Sequence, residues 1–166
     1  MTVLVECVLF IVWTATVAVC DLRNRSVGNI WVLAGLIAAL VCASTARAPF
    51  GIGLAQAALA AAVGFAVLLP FYLLRVMGAA DIKIFTVLGA WCGLTVLFEV
   101  WIIASIFAGV HAAFILLVTR TRVMALMRRD GPTFELNGYR GTPYVTCLAA
   151  GALISLVTRV VEGVPL

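Results

Sequence analysis

Residues 2–29 read TVLVECVLFIVWTATVAVCDLRNRSVGN. The stretch from Thr2 to Cys20 contains a single acid, Glu6, and no base, whereas Asp21 to Asn29 gathers an acid, two arginines and two asparagines before apolar sequence resumes at Ile30. An apolar run of about 20 residues is what a helix needs to cross the hydrocarbon core of a bilayer. Backbone groups in lipid have no water to bond, so only helices and closed barrels span it. A barrel requires strands alternating polar and apolar residues, a pattern absent here. Residues 1–20 lack a basic start, and Val19 before Cys20 makes a poor leader-cleavage site. They are therefore expected to stay as the first of several spans.

The same alternation of apolar run and polar break continues along the chain. Spans are expected at 2–20, 28–46, 52–75, 82–94, 97–119 and 143–161, with a cytoplasmic loop at 120–142. The expected fold is an all-α, polytopic transmembrane helical bundle of about six spans, forming a single domain over 1–166. A composition 65% apolar and only 11% charged, with mean hydropathy +1.22, excludes a water-soluble globule. The net charge of +4 does not point to nucleic acid, because the basic residues are confined to the breaks. With the N-terminus outside, Arg23, Arg25, Arg75, Lys83, Arg120, Arg122, Arg128, Arg129 and Arg140 fall in the cytoplasm and only Arg47 and Arg159 outside. Both termini are then extracytoplasmic, and Asp21 and Asp81 share the cytoplasmic face.

Carboxylates near a bilayer are costly and need a reason to be there. Glu6, Glu99 and Glu162 fall near the outer interface, and water solvates Asp130 and Glu135 in the loop. Asp21 follows the first span in a polar turn, where its structural role would be to cap the second helix. Asp81 lies in Gly78-Ala79-Ala80-Asp81-Ile82-Lys83, small residues that let another backbone approach, and would serve as an N-cap. Brought together, two carboxylates share a proton, so one acts as base and the other as acid. That is aspartyl-protease chemistry, needing no metal or organic cofactor. Cys7, Cys20, Cys42, Cys92 and Cys147 form no C-x-x-C pair and read as small packing residues. His111, inside the fifth span, is expected to bond a neighbouring helix.

These residues resemble the bacterial type IV prepilin peptidases, especially the short forms of tight-adherence (Flp-type) pilus systems. Asp21, Arg23, Arg25 and Asn29 match the first family motif; Gly78, Asp81 and Lys83 match the second, G-x-G-D-x-K; Pro143-Tyr144 matches a third before the last span. Ala80 stands where a second glycine is usual, and Val27-Gly28 where Ile-Pro is frequent. The resemblance implies Asp21 and Asp81 as catalytic residues, with Arg23, Arg25, Asn29, Gly78, Ala80, Lys83, Pro143 and Tyr144 supporting them or contacting substrate. It implies a prepilin or pseudopilin partner with a short basic leader, and a place in the bacterial inner membrane. Long members carry a cytoplasmic insert with paired C-x-x-C motifs linked to N-methylation; the Asp21–Asn29 turn is too short for one, so methyltransferase activity is not expected.

Two other classes fit a polytopic chain: a small proton-coupled transporter using Asp21, Asp81 and His111, and a non-catalytic membrane subunit of a secretion or pilus machine. A relay needs acids through the membrane depth, and the outer half offers only Glu6 and Glu99.

Overall fold

The computed structural model describes residues 2–24, 26–45, 48–120 and 144–161. They form five helices: α1 (Thr2–Asn24), α2 (Asn29–Ser44), α3 (Leu54–Leu73), α4 (Ala79–Arg120) and α5 (Tyr144–Val161). Among the described residues there is no strand. Four helices contain stretches long and apolar enough to cross a membrane: Leu4–Asn24, Leu54–Leu73, Ala79–Phe114 and Tyr144–Val161. α2, at 16 residues, extends only about 24 Å at 1.5 Å per residue. The loop expected at 120–142 lies outside the described residues except for Arg120, as do Arg25, Arg47, Pro143 and Glu162.

The stretches expected as separate spans at 82–94 and 97–119 fall within α4, which is broken at Gly93. Gly93 has φ 75° and ψ 173°, in the left-handed half of backbone space that glycine enters without a Cβ penalty. The chain doubles back there. A Cβ placed on Gly64 of α3 would lie 3.4 Å from Phe85 Cδ1 and 3.2 Å from Leu97 Cδ2. On an uninterrupted helix those two residues would be about 18 Å apart along the axis. α4 therefore has two antiparallel arms, 79–92 and 94–120, both packed on α3.

Small residues make this packing possible. A Cβ on Gly89 would come within 2.6 Å of the Ala60 carbonyl oxygen, so the first arm of α4 and α3 touch backbone to backbone. Lipid gives helices no hydrophobic reason to associate, and close van der Waals contact of this kind supplies the attraction instead. An aromatic wedge fills the space left by the small residues. Phe10 of α1 meets Trp91 of α4 at 5.4 Å between ring centroids, and Phe50 edge-on at 5.6 Å. Trp13 Nε1 donates to the Trp31 carbonyl at 2.9 Å, tying α1 to α2. Leu4, Val8, Ile30, Leu33, Phe98 and Ile106 remain exposed, as expected of side chains that face lipid.

Helix ends decide where the polar residues fall. α1 does not stop at Cys20 but continues through Asn24, so Asp21 belongs to its last turn. α2 is preceded by Gly28 with no side-chain cap, which corrects the capping role expected of Asp21. α4 begins at Ala79, earlier than expected, and Asp81 is in its first turn. Asp21, Asn29 and Asp81 gather at one end of the bundle with the start of α5. Gly93, Glu99 and Arg159 gather at the other.

Candidate active site

Asp21 is only 6% exposed. Its position works against it, because the C-terminal end of a helix repels negative charge. The compensation comes from α5. The backbone N–H and the hydroxyl of Thr146 both donate to Asp21 Oδ2, each at 3.0 Å. A buried carboxylate needs donors of this kind, and those to a charged acceptor are among the stronger hydrogen bonds. α1 and α5, far apart in sequence, are joined at this oxygen.

Asp81 is held differently. Its Oδ2 reaches back to accept from the Gly78 N–H at 3.0 Å, half of a capping box, at the helix end whose dipole favours an acid. Asp81 is partly exposed, as is Ala80, which packs against the core. The Asp21 charge reaches Asp81.

Further groups complete this end. Lys83 Nζ donates to Asn29 Oδ1 at 2.8 Å, linking α4 to α2. The Tyr144 hydroxyl lies 3.5 Å from Ser105 Oγ on the second arm of α4 and within reach of the Asp81 charge. The fold-back at Gly93 is what brings Ser105 to the level of Asp81. Cys147 lies within reach of the Asp21 charge.

Of the residues expected from sequence, Asp21, Asn29, Asp81, Lys83 and Tyr144 gather here, with Gly78 and Ala80 beside Asp81. Arg23 is exposed in the last turn of α1; Arg25 and Pro143 lie outside the described residues. His111 is exposed on the second arm of α4 and not set between helices as expected. Thr146 was not anticipated. Its one signal in the sequence is a hydroxyl two places after Tyr144, in an otherwise apolar stretch.

Both acids thus stand at one end of the bundle with Asn29, Gly78, Lys83 and Tyr144. A model of the type IV leader peptidase family matches residues 8–113, well over half of the chain, and covers Asp21, Asn29, Gly78, Asp81 and Lys83. The chain belongs to the type IV leader peptidase family. Its apolar helices fit a membrane member of that peptidase family, as the motifs led one to expect. No curated protein and no solved structure gives a significant match. Tyr144 and Thr146 lie beyond the matched residues, so their part in this leader peptidase rests on the contacts above.

A cavity of about 480 Å³ opens at the opposite end, lined by Phe50, Gln56, Gly93, Thr95 and Arg159 among others. There Arg159 faces Glu99 at 4.0 Å and the Phe50 ring at 5.9 Å. The cavity lies at the end of the bundle away from both aspartates.

Proposed function

We propose that this chain is an aspartic endopeptidase of the bacterial inner membrane that removes short basic leaders from prepilin-like proteins at the cytoplasmic face. What supports the reading is that Asp21 and Asp81, the two acids of the family motifs, stand at the same end of the bundle, where the Asp21 charge reaches Asp81. Like charges at close range favour a state with one proton between them. The ionised carboxylate takes a proton from water as the water oxygen attacks the scissile carbonyl carbon. The protonated one donates to the carbonyl oxygen, and a proton passes to the amine as the C–N bond breaks. No residue changes oxidation state and no covalent intermediate forms.

The topology in this reading has six crossings, the two arms of α4 each counting as one, and extracytoplasmic termini. Lys and Arg placement supports it, since nine of eleven basic residues then fall inside. A substrate anchored by its apolar helix presents its leader junction at the interface, where the aspartates lie. Flp-type pilins are the proposed substrates. The chain acts as one domain in this reading, and N-methylation is not assigned to it.

The test is reconstitution. Purified protein in vesicles, given a prepilin with a basic leader and a glycine before the junction, is expected to release the leader, read by gel shift and mass spectrometry of the new N-terminus. An intact substrate together with proton flux across the same vesicles would replace this reading with a transporter.

A further inference from the structure

We infer that Thr146 is a positioning residue that makes Asp21 the water-activating base and leaves Asp81 as the acid. The inference rests on the two-aspartate reading above and assigns the roles within it. A carboxylate oxygen has about two lone-pair directions. Asp21 Oδ2 receives two donors, the Thr146 N–H and Oγ1–H, both at 3.0 Å. An oxygen so occupied has no site for a proton, so the proton shared by the pair rests on Asp21 Oδ1 or on Asp81. Asp81 accepts a single bond within its motif, from the Gly78 N–H. The asymmetry of donors places negative charge on Asp21 and leaves room for the proton on Asp81.

The Thr146 hydroxyl has one proton and two acceptors in range, Asp21 Oδ2 at 3.0 Å and the Ala18 carbonyl at 3.5 Å. The shorter contact is to the carboxylate, and charge strengthens it. Among the described residues, the ionisable groups at this end of the bundle include Cys20 and Arg23 on α1, Asp81 and Lys83 on α4, and Tyr144 and Cys147 on α5; α2 contributes the neutral Asn29, already bonded to Lys83. The Asp21 charge reaches Asp81 and Cys147, and both donors to Oδ2 come from Thr146. Burial alone would favour the opposite assignment, since Asp21 is the less exposed acid. The two Thr146 donors reverse that preference.

The experiment compares Thr146→Val, which keeps shape and backbone N–H but removes the hydroxyl, with Thr146→Ala and Thr146→Ser, in vesicles with a prepilin substrate. Loss of a hydrogen bond to a charged group corresponds to a fall in kcat of about tenfold to a hundredfold. That loss is expected in Val and Ala with KM within about twofold of wild type, and Ser restores kcat. Wild-type kcat in Val and Ala overturns the inference, as does a loss that Ser does not rescue or that appears only in KM. Asp21→Asn, run alongside, separates the two levels. If it is inactive while Thr146→Val is normal, only the role of Thr146 falls; if it still cleaves, the two-aspartate reading falls as well.

Discussion

Lys83 Nζ donates to Asn29 Oδ1 across 2.8 Å, joining residues 54 positions apart on α4 and α2. Each belongs to a different motif, and each stands near the aspartate of its own motif. The bond is a brace between the two halves of the site. Because it is solvent-exposed, its contribution to stability is small, about 1 kcal/mol or less. A double-mutant cycle with Lys83→Met and Asn29→Leu is expected to give a coupling of about 0.5–1 kcal/mol in thermal unfolding. Strict additivity would show that the two side chains do not act together.

Gly93 sets the reversal of α4. An alanine there would take up a positive φ, and its Cβ would lie 3.0 Å from Ile52 Cγ2. That region of backbone space is essentially glycine's alone, and the conformation costs a residue with a Cβ about 1–3 kcal/mol. Gly93→Ala is expected to lower the melting temperature in detergent, and Gly93→Val to lower it further. Unchanged melting in both would mean that the chain does not reverse at this glycine.

Gly89 carries the contact between α3 and the arm that holds Asp81. Any side chain there meets the Ala60 backbone, which cannot rotate away as a flexible side chain would. Gly89→Val is expected to reduce leader cleavage sharply, by about tenfold or more, since displacements near 1 Å remote from the chemistry carry such costs. Cleavage at the wild-type rate, measured against protein level in the membrane, would contradict this packing.

Much of the architecture could be read from the chain because lipid imposes a simple code. The apolar runs around Asp21–Asn29 and before Gly78 announce helices, and the motif residues announce which ends meet. Details set by tertiary contact could not be read in this way. α1 runs through Asp21 to Asn24, a polar stretch that resembles a turn until Thr146 of α5 is seen bonded to the acid. That bond spans 125 positions and leaves no local trace. The break in the expected fourth and fifth spans was legible in kind but displaced to Gly93, where a positive φ was needed. For His111, the sequence position gives depth and not the face of the helix, and the residue is exposed.

The proposed leader cleavage depends on Asp21 and Asp81 acting together, and their replacement one at a time by asparagine tests this directly. Asparagine keeps the size of each side chain but can neither carry the charge nor share the proton. With a prepilin substrate in reconstituted vesicles, Asp21→Asn and Asp81→Asn are each expected to abolish leader release while the protein accumulates as wild type does. Continued cleavage by either variant would contradict the account.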